Sequence, residues 1–186
     1  MRVLMRSLPW EVLTAWMVHA FTASGALVAL LTFDAIAQGR YQIAFWWMAA
    51  AVAIDSLDGT LARKLKVKVR VPSLDGALLD NIVDYLNYAI TPAYLLLVHP
   101  TLVPHEWRIF LASAIALSSA YQFAQTDAKT SDNFFRGFPS YWNIVVFHLW
   151  IFGMPAFFNA MFILALVGMT PRSSAAYRLV AIKCSS

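Results

Sequence analysis

Residues 55–85 read DSLDGTLARKLKVKVRVPSLDGALLDNIVDY, and the fold follows from how this stretch sits between two apolar runs. Asp55 and Asp58 stand three apart at the end of the run before it, and Asp80 and Asp84 stand four apart at the start of the run after it. Both spacings put two carboxylates on one face of a helix. The chain has ten acids, and these four lie where it otherwise looks like membrane. An ionisable group in hydrocarbon costs about 2.5–3.5 kcal/mol on insertion scales, so four of them need compensation. Arg63 is close enough in sequence to offer pairing, but one guanidinium cannot neutralise four carboxylates. A bound divalent cation can.

Working outward, the composition supports the membrane reading. Of 186 residues, 60% are hydrophobic and 13% charged, with a mean hydropathy of +0.62. Soluble globular domains lie far from these values, and a polytopic membrane protein fits them. At about 20 residues per span the length allows about six helices. The expected fold is therefore an all-α membrane helix bundle of about six transmembrane helices. The single cysteine, Cys184, excludes an internal disulfide and a cysteine-based metal cluster. No internal repeat or low-complexity segment stands out.

The apolar runs place the spans. The first covers roughly Leu13 to Phe33, after a lead-in carrying Arg2, Arg6, Pro9 and Trp10. A cleaved signal peptide is the competing reading there, but apolarity persists through Leu31, which favours an uncleaved span. The second run covers Tyr41 to Ala62, the third Leu78 to Val98 and the fourth Ile109 to Ala124. The fifth and sixth share the segment from Tyr141 to Met169, with a turn at Gly153 and Pro155. With a cytoplasmic N-terminus, every basic residue except Arg40 and Arg108 falls inside, twelve of the fourteen. That asymmetry fixes the orientation and puts the four carboxylates at the cytoplasmic boundary.

In this topology the KLKVKVRV linker joins the second helix to the third, so the two acidic pairs can face each other across a helical hairpin. Asp80 gains from the positive end of its helix dipole, whereas Asp55 and Asp58 lie near a negative end and depend more on a cation. Carboxylate oxygens are hard ligands that favour magnesium or manganese over zinc or copper. Gly59, Ala62 and Gly76 offer small surfaces where a diphosphate and its nucleotide could approach. Arg63 could pair with a phosphate in bidentate fashion.

The pattern D-x-x-D-G-x-x-A-R followed by G-x-x-x-D-x-x-x-D is carried by Asp55, Asp58, Gly59, Ala62, Arg63, Gly76, Asp80 and Asp84. It resembles the signature of the CDP-alcohol phosphotransferases. Twelve residues separate Arg63 from Gly76, more than is usual in that family, and the longer gap resembles its bacterial phosphatidylcholine synthase branch. VHAFTASGALVAL in the first span and FFRGFPSYWN before the fifth support the narrower match. The resemblance runs from about residue 10 to 167. It implies transfer of a phosphatidyl group from CDP-diacylglycerol to choline, with release of CMP, by a multi-pass enzyme of the bacterial inner membrane. It also implies that Asp55, Asp58, Asp80 and Asp84 bind Mn²⁺ or Mg²⁺, with Asp84 doubling as the general base. Gly59, Ala62, Arg63 and Gly76 would bind CDP-diacylglycerol. Membrane lipids and a second copy in a homodimer are the other partners in view, and no nucleic acid is expected.

Other residues carry less. Choline is best held by aromatic faces, and Tyr88 and Trp142 are the chosen candidates among Tyr85, Tyr88, Phe134, Phe135, Phe138, Tyr141 and Trp142. His19 reads as an interhelical hydrogen-bonder. The linker's alternating Lys64, Lys66, Lys68 and Arg70 form no helical stripe, which argues against an interfacial helix; their charge suits anionic headgroups or simply sets topology. The rival functions are a related transferase using serine or glycerol phosphate, and a cation-coupled transporter. Residues 1–169 read as one transmembrane domain and 170–186 as a divergent, disordered tail. Relatives of the resembling branch continue into two more apolar helices. The expectation is a shortened member, arising from a changed reading frame near Gly168 or as a genuine short form, with reduced activity.

Overall fold

The computed structural model describes residues 9–125 and 140–169, and every regular element among them is helical. In order these are α1 (Pro9–Ala37), α2 (Tyr41–Lys64), the one-turn α3 (Val67–Arg70) and α4 (Gly76–Tyr85). A π-helical turn (Leu86–Ile90), α5 (Thr91–Val98) and a 3₁₀ turn (His105–Trp107) follow. The last three helices are α6 (Arg108–Ala124), α7 (Trp142–Phe152) and α8 (Ala156–Gly168). The all-α expectation holds, and each expected apolar run carries helix. The turn between α7 and α8 falls at Gly153, whose φ of +56° is open to glycine at little cost. Arg2, Arg6, Lys129, Phe134, Phe135, Arg136, Phe138 and the tail 170–186 lie outside the described residues.

Among the described helices only α1 combines the length and apolarity needed to cross a membrane, with a mean hydropathy of 1.7 over its most apolar stretch. α2 is long enough but carries Asp55, Asp58, Arg63 and Lys64 in its second half. At 11 and 13 residues, α7 and α8 reach about 17 and 20 Å, against about 30 Å of hydrocarbon. Helix length thus supports one crossing directly and leaves the count of six to other arguments. Large apolar side chains nevertheless stay on the outside: Leu13 and Met17 on α1, Trp46 on α2, Leu117 on α6, Phe157 and Phe158 on α8. Exposure of that kind marks a lipid- or protein-facing surface.

The chain divides into two compact units, Met1–Asn87 and Tyr88–Ser186. In the first, α1 is the spine: it packs along α2 and α4 and touches α3. Small residues permit the close approach. A Cβ added at Gly25 would lie 2.5 Å from Val83 Cγ1, so α1 and α4 meet nearly backbone to side chain. Asn87 seals this contact by donating its amide to the Gly25 and Val83 carbonyls, each at 3.0 Å. At the other end, Ala15 and Val18 of α1 form a buried cluster with Val67 and Val71, flanked by Val12, Ala62, Leu65 and Leu74. Alternating lysines hide this pattern in the sequence, because Val67 and Val71 stand four apart, at the start and at the C-cap of α3. The linker therefore does turn once as a helix, entered through Lys66 at φ +48°. An ion pair locks it, with Arg70 donating to Glu11 at 2.9 Å.

In the second unit α5 lies against α6 and α7, and α8 against α6. Leu95, Leu96, Leu111, Ile115, Val146 and Ile163 are fully buried there. Two side chains stitch it with polar contacts: Trp142 donates its indole N–H to Ser119 Oγ at 2.9 Å, and Asn159 donates to the Leu102 carbonyl at 2.8 Å.

Candidate active site

The acidic residues come together in the first unit. Asp75 caps α4 by accepting from the Ala77 and Leu78 amides at 3.0 and 3.1 Å. This cap fixes where α4 begins, and hence which turns carry Asp80 and Asp84. One carboxylate oxygen each from Asp55, Asp80 and Asp84 lie within 4.8 Å of one another, all three side chains partly buried. Two unit charges about 4 Å apart repel by about 4 kcal/mol at an effective dielectric of about 20, so such a cluster favours a cation among its members. The donor set fits a hard divalent ion. Oxygens bound at about 2.1 Å to one Mg²⁺ lie no more than about 4.2 Å apart, a gap that small side-chain rotations close.

Asp58 does not join that group. Its side chain is buried, with the residue 5% exposed. Three carboxylates therefore meet where the sequence suggests two facing pairs.

The remaining motif residues split between the surface and the packing. Arg63 folds back along its own helix and donates to Thr60 Oγ1 at 3.2 Å. A Cβ at Gly59 would meet only Arg63 Nη1, at 3.4 Å, so this glycine leaves an open surface beside the guanidinium. Ala62 packs against the buried valine cluster. Gly76 faces His19, whose Cε1 would lie 3.0 Å from an added Cβ. His19 itself is buried edge-on against Trp16, and its Nε2 has no hydrogen-bond partner among the described residues, unlike the interhelical bond expected of it.

Tyr88 and Trp142 belong to the second unit and are 3% and 0% exposed. Tyr88 stacks edge-on with Tyr141 at 5.4 Å. A cation would reach either ring only through a change in that packing.

Two residues that the motif does not mark shape this unit: Glu11 and Arg70, whose ion pair ties α3 to α1.

Comparison with known proteins agrees with this layout. The CDP-alcohol phosphatidyltransferase family matches residues 11–171. The phosphatidylcholine synthase of Legionella pneumophila is 52% identical over 147 residues, covering 79% of this chain and 58% of that protein. That of Legionella bozemanae is 50% identical, covering 76% of this chain and 65% of its own length. That of Borreliella burgdorferi is 45% identical, covering 80% and 63%. The chain thus spans about three fifths of the length of these relatives. No solved structure gave a significant match. On the motif, the acidic cluster and the extent of the match together, the chain belongs to the CDP-alcohol phosphatidyltransferase family.

Proposed function

We propose that the chain carries the catalytic part of a phosphatidylcholine synthase, a multi-pass protein of the bacterial inner membrane with its N-terminus and active site on the cytoplasmic side. The observation that carries this reading is the cluster of Asp55, Asp80 and Asp84 at the motif positions. The names of the relatives support choline as acceptor, and the outward apolar side chains support several crossings.

In this reading the lipid tails of CDP-diacylglycerol stay in the bilayer while its nucleotide and the choline arrive from water. Asp55, Asp80 and Asp84 hold Mn²⁺ or Mg²⁺, and Asp58, one turn from Asp55, is the fourth carboxylate of the set. A bound divalent ion supplies positive charge that offsets the pyrophosphate oxygens. Gly59 leaves room for the nucleotide and diphosphate, with Arg63 as phosphate partner. Asp84 takes the proton from the choline hydroxyl. The alcohol oxygen bonds to the phosphorus bearing diacylglycerol, and the P–O bond to CMP breaks with its electron pair leaving on CMP.

The test supplies CDP-diacylglycerol with labelled choline, serine, glycerol phosphate or inositol and identifies the lipid formed, with and without chelator. Labelled phosphatidylcholine that disappears with chelator, and in Asp80→Asn, is the expected result. Phosphatidylserine as main product would overturn the acceptor and keep the reaction class. Turnover undiminished by chelator would overturn the ion site.

A further inference from the structure

We infer that the linker between α2 and α4 is a docking surface for anionic phospholipid headgroups, with Lys64, Lys66 and Lys68 as the contacting charges. In the one-turn α3, Val67 and Arg70 stand three apart and share the side turned to α1. Val67 is 3% exposed there, and Arg70 pairs with Glu11 at 2.9 Å. Lys68 and Val69 lie between those two positions and turn the other way. Lys64, Lys66 and Lys68 are all exposed, and Val69 is 76% exposed. Glu11 is taken by Arg70 and Asp34 by Arg40, and among the described residues none of the three lysines has an ion-pair partner. A signal for topology alone needs positive charge but no fixed side. This segment is folded, held to α1 by the valine cluster, and carries its lysines outward around an apolar tip.

Helix geometry fixes the depth of this surface. Asp34 near the end of α1 pairs with Arg40 at 3.1 Å, both exposed, and marks one edge of the hydrocarbon. At about 1.5 Å per residue, about 30 Å of hydrocarbon then reaches back about 20 residues along α1, to about residue 14. The linker meets α1 at that level: Val67 and Val71 pack with Ala15 and Val18, and Val12 flanks them. Trp10, one turn further out and 59% exposed, is of a residue type enriched at headgroup level. The three lysines therefore stand in the headgroup layer, beside phosphate oxygens. Each lysine so placed strengthens attraction to an anionic surface by about fivefold, whereas a choline headgroup offsets its phosphate with its own cation. The membrane setting proposed above is needed for this contact, and the reaction is not.

Spin-labelled lipids test this without turnover. The full chain is reconstituted in phosphatidylcholine vesicles, and electron paramagnetic resonance gives the association of spin-labelled phosphatidylglycerol relative to spin-labelled phosphatidylcholine. The parent should prefer phosphatidylglycerol, by about fivefold where a lysine reaches it. Raising the salt from about 0.1 to about 1 M shortens the screening length from about 10 to about 3 Å and should remove the preference. Replacing all three residues, Lys64→Gln with Lys66→Gln and Lys68→Gln, should remove it at low salt. The three arginine replacements should keep it, because the headgroup reads charge. Arg40→Gln, at the other end of α1, should leave it unchanged. Equal association of the two lipids with the parent overturns the inference, as does a preference that survives in the folded glutamine variant. If that variant does not fold, a parental preference that persists at high salt overturns it instead. A raised KM for CDP-diacylglycerol in the glutamine variant with the lipid preference intact would give the lysines to the substrate and overturn the docking surface. A parent without turnover would sink the proposed reaction and leave the lipid measurement standing.

Discussion

Gly25→Ala should separate activity from stability. The added Cβ would sit 2.5 Å from Val83 Cγ1 and 3.6 Å from Asn87 Nδ2. Carbon atoms in contact lie about 3.5–4.0 Å apart, so at least about 1 Å must be found between α1 and α4. Val83 cannot yield it alone, because a β-branched side chain in a helix has one strongly preferred rotamer. Overpacking of this kind costs about 1–3 kcal/mol. Replacing glycine by alanine inside a helix returns about 1 kcal/mol. The net loss of stability should therefore stay below about 2 kcal/mol. The displacement falls on the residue just before Asp84, however, and a misplacement of about 1 Å can cost about 10²-fold in rate. The assay is CMP release from CDP-diacylglycerol, with Mn²⁺ affinity as a second reading and thermal unfolding in detergent as the control. The expected result is a loss of turnover of about two orders of magnitude in a protein that melts close to the parent. Val83→Ala in the same chain removes the colliding methyl and should recover most of it. Parental turnover in Gly25→Ala, or no recovery in the double variant, would refute the reasoning.

Two further outcomes are expected. Glu11→Gln should destabilise the first unit by about 1.5–3 kcal/mol, the range for hydrogen bonds to charged groups, because Arg70 already has a buried Nη1 without a partner and would lose its carboxylate; an unchanged melting temperature would remove the clamp. His99, in the loop after α5, has its pKa lowered from 6.5, by burial first and by the Arg108 charge second. The unfolded chain therefore binds its proton more readily than the folded one, so its contribution to stability is full above about pH 6.5 and is lost as pH falls through the lower folded value. Melting curves taken from neutral to acid pH should fall over that range, and His99→Asn should flatten the fall; an identical pH profile in the variant would exclude His99 as the source.

The sequence by itself determined that the chain is helical and which segments are helices, because apolar runs of helix length leave no other way to satisfy the backbone in an apolar setting. It also singled out Asp55, Asp58, Asp80 and Asp84 as acids out of place by composition, three of which the structure brings together. Local rules reach that far because i, i+3 and i, i+4 neighbours are fixed by the helix itself. The tertiary structure decided what each carboxylate touches. Asp55, Asp80 and Asp84 meet without Asp58, and Gly76 meets His19 because α1 lies against α4 and brings in a residue more than fifty positions away. It also decided that the basic linker turns as α3: Val67 and Val71 gain their partners only from Ala15 and Val18. Periodicity registers a face within one helix. Which other helix covers that face depends on close approach at Gly25 and on long-range pairs such as Glu11 with Arg70, neither of which leaves a local mark in the chain.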